Sequence, residues 1–120
     1  MIKRIFLLVR RPDLSREEFA RHWREIHGPL AKQLPNVVRY IQDHIVESST
    51  FRGDSHRPDL PEVDGIAEFW FEDKKAMEVA FATPAAKTLF ADGTKFIELV
   101  NTYIVEEHTV IDQDPRRPHE

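Results

Sequence analysis

His27 and Glu68 are the residues whose type and surroundings first suggest chemistry. His27 lies at the edge of an apolar helical stripe, two residues before Pro29. Histidine titrates near neutral pH, so it can take or give a proton under ordinary conditions. A proline inside a helix has no N–H and clashes with the carbonyl four residues back, here Glu25. The regular ladder therefore ends beside His27. That position suits a histidine that moves protons, and it also suits one that only caps the freed carbonyls. Glu68 stands alone among apolar neighbours in DGIAEFWF. A carboxylate there is costly unless paired or exposed, and burial would raise its pKa towards general-acid use. A salt bridge to Arg39 or Lys3 is the alternative. His22 and His27 are five apart, not the three or four that put two ligands on one helix face, so no metal site is expected. The chain has no cysteine, which removes thiol nucleophiles, disulfides and cysteine metal sites. Its four glycines are isolated and form no phosphate loop.

The elements that must position these residues can be read in order. Ile5 to Val9 is apolar at every position, and its length and polar ends favour a strand over a helix fragment. Ser15 and Glu18 fit a capping box, with Leu14 and Phe19 at the spacing of a hydrophobic staple. Phe19, Trp23, Ile26, Leu30 and Leu34 then recur on one helical face, opposite Arg21, Glu25 and Lys32. Pro29 predicts a kink at Gly28-Pro29, or a short second helix with Pro29 at its first position. Pro35-Asn36 stops the helix. A second strand over Val37 to Glu47 mixes polar and apolar groups on both faces, as a strand lining a cleft would. One of those faces holds Val38, Tyr40, Gln42, His44 and Val46. Residues 48–63 carry two prolines and a glycine, and read as a long loop, either a lid or a plain connection, with Phe51 as its one large apolar anchor. Asp64 to Phe71 is a third strand with Ile66, Glu68 and Trp70 on one face. A helix follows over Asp73 to Ala82. Thr83-Pro84 starts another, which runs to about Ala91 and is stopped by Asp92-Gly93. The last strand is expected at Asn101 to Ile111, and residues 112–120 as a disordered tail or an arm onto a partner.

Strand, helix, strand, strand, helix, strand is a ferredoxin-like βαββαβ order. The expected class is α+β, an antiparallel four-stranded sheet with helices on one face. One domain, residues 1–111, accounts for 120 residues less the tail. Two strands are apolar on both faces while helices cover only one. A second copy packed sheet against sheet, a symmetric homodimer, is the simplest cover. The net charge of −4 and the absence of a basic stripe argue against a nucleic-acid partner. The apolar run IFLLV is too short for a signal segment or a membrane span, so no membrane partner is expected and a cytoplasmic location is the default.

The blocks LSREEFARHWREIHGPLAKQLPNVVRYIQDH, DGIAEFWFED and TPAAKTLFADGTKFIE resemble the EthD family of dimeric α+β barrel proteins, over about residues 2–111. The resemblance implies a dimer whose two sheets form a barrel, and a cleft in each subunit between sheet and helices. The layout is similar to the methylisomerase branch of that superfamily. More distantly it is similar to polyketide cyclases and to monooxygenases that work without metal or organic cofactor; other branches bind haem. His27, eight residues after Phe19, and Tyr40, five after Pro35, match the methylisomerase-type pattern, and Glu68 and Trp70 match its E-x-W signature.

The expected activity is therefore that of a proton-transfer enzyme, an isomerase, cyclase or lyase, without a cofactor. It would act on a small aromatic, lactone or polyketide-like acid. His27 would serve as general base or acid, and Tyr40 would donate a hydrogen bond as enolate charge develops. Phe6, Leu8, Trp23 and Trp70 would supply the apolar wall, with His44 or Glu68 orienting the pair. Two other readings stand beside it. One is a non-catalytic ligand-binding or accessory protein of the same fold. The other is haem chemistry, with His27, His44 or His108 as the axial ligand.

Overall fold

The computed structural model describes residues 1–54, 56–58 and 62–116. Four strands, β1 (Ile2–Arg10), β2 (Arg39–His44), β3 (Gly65–Phe71) and β4 (Ile97–Glu106), form one antiparallel sheet in the order β2-β3-β1-β4. Helices α1 (Arg16–His22), α2 (Gly28–Ala31), α3 (Lys74–Phe81) and α4 (Pro84–Gly93) complete the βαββαβ plan. The fold is ferredoxin-like and α+β. No helix among the described residues is long and apolar enough to cross a membrane.

Cross-strand partners share a face of the sheet, so the register sorts the residues. Phe6 pairs with Ala67 and Thr102, Leu8 with Gly65 and Val100, and Arg4 with Phe69 and Ile104. Tyr40 pairs with Phe69, Gln42 with Ala67 and His44 with Gly65. This is the helix-covered face. Its core is aromatic: Phe6, Phe19, Trp23, Phe69, Phe71 and Phe96 are buried together. Phe6 meets Phe69 edge to face with centroids 5.7 Å apart, a favoured aromatic geometry.

The first helix begins as its capping box requires: Glu18 N–H donates to Ser15 Oγ, and Ser15 N–H donates to Glu18 Oε1, both at 3.0 Å. Of the two outcomes expected at Pro29, the short second helix is the one that forms: the chain first widens into a π turn, Trp23–His27, in which Gly28 N–H reaches back to Trp23 O, and α2 then starts with Pro29 in its first turn. The wider turn makes room where proline would otherwise meet the preceding turn. It also changes which residue faces in. Ile26, expected on the buried stripe, is 52% exposed. The extra residue per turn rotates Ile26 outwards and brings His27 round to the core side.

Two strands differ in extent from expectation. β2 is shorter than residues 37–47, and β4 runs Ile97–Glu106 rather than Asn101 to Ile111. A bulge explains the second: the pairing of β1 with β4 slips between Val9 and Arg10, leaving Glu98 opposite no residue. Ile97 and Val100 thereby share a face, which breaks the alternation that marks a strand. The loop expected at 48–63 includes residues 55 and 59–61, and the tail includes residues 117–120; these lie outside the described residues. Phe51 is exposed and does not anchor the loop.

The other face of the sheet carries Ile5, Leu7, Ile41, Ile66, Leu99 and Tyr103. At one end it is charged: Lys3 Nζ donates to Glu68 Oε1 at 2.9 Å and to Glu107 Oε2 at 3.2 Å.

Candidate functional site

A cavity of about 380 Å³ opens between the helix-covered face and the helices. Its walls are mostly apolar, and Phe6, Leu8, Trp23, His27 and Tyr40 all contribute to them. Two small residues make the room. Ala67 forms part of the floor. At Gly65 a Cβ would stand 2.4 Å from Trp23 Cζ3, so the indole can lie flat on β3 only because no side chain is there.

His27 is held by a carboxylate. Its Nδ1 is 2.9 Å from Asp92 Oδ2. Asp92 sits in the last turn of α4 and is 5% exposed, the one buried charged side chain among the described residues. His22 Nε2 reaches the same carboxylate, 3.1 Å from each oxygen. With carboxylate oxygens as acceptors, His27 Nδ1 is the donor to Asp92 and Nε2 keeps its lone pair. Burial lowers the His27 pKa from its ordinary value; the Asp92 hydrogen bond and charge offset part of that, and His22 adds to the lowering. The ring is therefore neutral at pH 7, with a basic nitrogen available.

Tyr40 is fixed by a second network. Its ring stacks on Phe69 with centroids 4.5 Å apart. Gln42 Nε2 donates to Tyr40 Oη at 2.8 Å and to Trp23 O at 2.9 Å, while Gln42 Oε1 accepts from His44 Nε2 at 3.0 Å. Since the phenol oxygen accepts from Gln42, its own hydrogen is left to point elsewhere. Burial pushes the phenol pKa up, which keeps it protonated, and the Gln42 hydrogen bond opposes this. The Trp23 indole N–H acts on the phenol in the same direction as Gln42, yet completes no hydrogen bond of its own although it is buried. The cavity thus carries an imidazole and a phenol on its wall, groups able to take a proton and to donate a hydrogen bond.

A model of the EthD domain matches residues 11–99. The chain belongs to the EthD domain family. Among solved structures, an ethyl tert-butyl ether D (EthD) family protein from Bacillus halodurans superimposes with a TM-score of 0.70 at 24% identity, covering 90% of this chain and 100% of that one. HapK from Hahella chejuensis gives 0.68 at 15% identity over 95% and 99%. A dimeric ferredoxin-like protein of unknown function from Thermobifida fusca gives 0.63 at 10% over 87% and 88%. These likenesses support the fold. No curated protein matches in sequence.

In this EthD domain the expected site residues divide in two. Phe6, Leu8, Trp23, His27 and Tyr40 are brought together around the cavity. His44 is not on its wall. It stacks behind Trp23 with centroids 4.4 Å apart and acts on Tyr40 through Gln42. Glu68 and Trp70 do not line the cavity, because β3 alternates and both point to the opposite face. There Lys3 pairs with Glu68, while Trp70 lies 4.7 Å from the Lys3 ammonium and 4.8 Å from the Arg39 guanidinium. Sequence reasoning misses Asp92 and Gln42 as site residues, because Asp92 beside Gly93 reads as a helix stop. The signal for Asp92 is periodic: it falls three residues after Leu89, buried on α4, and seven after Ala85, which packs against the core, so the helical period puts it inside.

Proposed function

We propose that this chain is a small-molecule enzyme whose own side chains transfer a proton at a carbon beside a carbonyl, as an isomerase, cyclase or lyase does, without a cofactor. His27 Nε2 removes the proton. Asp92 holds the ring through Nδ1 and stabilises the imidazolium that forms. Tyr40 donates its hydroxyl hydrogen to the carbonyl oxygen as enolate charge builds, and His27 returns the proton to the new position or to the leaving group. The observation that carries this reading is the buried Asp92 carboxylate 2.9 Å from His27 Nδ1, on the wall of an apolar cavity.

The working unit is proposed to be a homodimer joined through the open face of the sheet. Leu99 and Tyr103 on that face are exposed in the single chain, and the Thermobifida fusca neighbour is itself described as dimeric.

The test is proton exchange. The protein is incubated in D₂O with a panel of enolisable aromatic, lactone and polyketide-like acids, and loss of the C–H signal is followed by NMR. Exchange is expected for at least one member. His27→Asn should slow it by about 10²- to 10⁴-fold, the usual contribution of a general base, and Tyr40→Phe by less. Exchange that survives His27→Asn unchanged would sink the assignment.

A further inference from the structure

Arg4 lines the same cavity, and among the described residues its charge has no counterpart. It is on the helix-covered face of β1, where its cross-strand neighbours Phe69 and Ile104 offer no side-chain oxygen. Its Nε is buried and makes no hydrogen bond. Burial alone acts on the guanidinium, lowering its pKa; no neighbouring charge contributes. The other cations of β1 have carboxylate partners, although Arg10 Nε, like Arg4 Nε, completes no hydrogen bond. Lys3 has Glu68 and Glu107, and Arg10 has Asp64 and the Leu14 carbonyl.

Two phenyl rings approach the guanidinium. Its central carbon is 4.9 Å from the Phe6 ring and 4.2 Å from the Phe81 ring. Such contacts hold a cation through the ring faces; with Nε buried, an acceptor would meet the two terminal nitrogens of the guanidinium. A guanidinium fork presents parallel N–H groups, the match for a carboxylate bound through both oxygens. Withdrawing that cation from water without a counter-charge costs stability, a cost that an incoming anion relieves.

The ends of the cavity are chemically distinct. Its wall follows β1 from Arg4 to Leu8, about 13 Å at ~3.3 Å per residue. His27 stands beside Gly93 and Ile97, where a Cβ on Gly93 would lie 4.0 Å from His27 Cε1. Ile97 pairs with Arg10, at the opposite end of β1 from Arg4. The acid group and the reacting carbon would therefore occupy opposite ends of one apolar trough.

We propose that Arg4 binds the carboxylate of the ligand, and that the cavity takes a monocarboxylic acid on an aromatic or alicyclic body, acid end at Arg4 and far end at His27. The inference rests on the cavity being the substrate site; it does not require His27 to be the base.

The test is a matched-pair titration of the full chain by calorimetry, using trans-cinnamate and 2-naphthoate against cinnamamide and 2-naphthamide. The acids should bind about 10- to 100-fold more tightly than their amides, the range for a charge-assisted bidentate contact. Arg4→Met, which keeps the stem, should abolish that preference without weakening the amides. Arg4→Lys should retain only part of it, and together with the wild-type ratio it decides the matter if Arg4→Met does not fold. Equal binding of acid and amide overturns the proposal, as does a preference that survives Arg4→Met, or no acid binding at millimolar concentration. His27→Asn separates the two claims. The acid preference must persist in it, whereas a wild-type protein that prefers acids but exchanges no protons defeats only the catalytic reading.

Discussion

Replacing Asp92 by Asn changes almost no volume and removes one charge and one acceptor. In the native protein the carboxylate serves two imidazoles at once, His27 Nδ1 at 2.9 Å and His22 Nε2 at 3.1 Å. An amide has one acceptor oxygen and one donor nitrogen, so one histidine keeps a neutral hydrogen bond and the other must turn away or face a donor. Hydrogen bonds to a charged group contribute roughly 1.5–3 kcal/mol and neutral ones roughly 1. Weakening one and losing the other gives roughly 2–5 kcal/mol. His22 is partly open to water, which can replace its lost partner, so about 2–3 kcal/mol is expected. Urea unfolding at pH 7 measures this. A second readout is the His27 titration by NMR. Asp92 raises the His27 pKa against burial, so Asp92→Asn should lower it further. The folded pKa lies below the unfolded value of 6.5, so the unfolded chain binds the proton more readily. His27 therefore withdraws stability as pH falls through about 6.5, and more deeply in the Asn variant. A loss under about 0.5 kcal/mol with an unmoved His27 titration would refute the idea that Asp92 holds this ring.

Two other perturbations read the scaffold. Gly65→Ala would place a methyl 2.4 Å from Trp23 Cζ3 and 2.7 Å from Cη2, and Trp23 is 0% exposed and backed by His44. Overpacking of this kind should destabilise by about 1–3 kcal/mol and shift the tryptophan fluorescence; an unchanged melt would show that the ring has room to move. On the open face, a shared hydrogen bond with Glu68 is the main cause raising the Asp43 pKa from 3.8 to about 6. The folded protein then holds that proton more tightly than the unfolded chain. The contribution is complete below about pH 4 and lost as pH rises through about 6. Asp43→Asn should flatten the change in urea midpoint between those values, and an equal slope in both proteins would show that no proton is shared.

Much of the fold was legible because it depends on local rules. The Ser15–Glu18 box, the Thr83-Pro84 start and the alternation in β3 are short-range signals, and their order already implied the sheet. Where a local rule was broken, reading failed. The bulge beside Arg10 hid the start of β4, since alternation is lost when one residue has no opposite. Pro29 marked a disturbance in the first helix correctly, but whether the chain would kink or widen depended on what packs against it.

The site divides along the same line. Residue types and spacing pointed to His27 and Tyr40, since a proline-adjacent histidine and the family-like pattern are both written in one dimension. Which carboxylate would serve His27 was not. Glu68, alone in an apolar strand, reads as a group that with His44 could orient the pair or pair with Arg39 or Lys3, and Asp92 reads as a helix stop. Strand register sent Glu68 to the far face, and the packing of α4 against the π turn brought Asp92, sixty-five residues away in sequence, within hydrogen-bond reach of His27. Composition and period determine which residues go inside. Only the packed tertiary structure decides which buried groups meet, because a meeting between distant groups is a property of two surfaces and not of either segment alone.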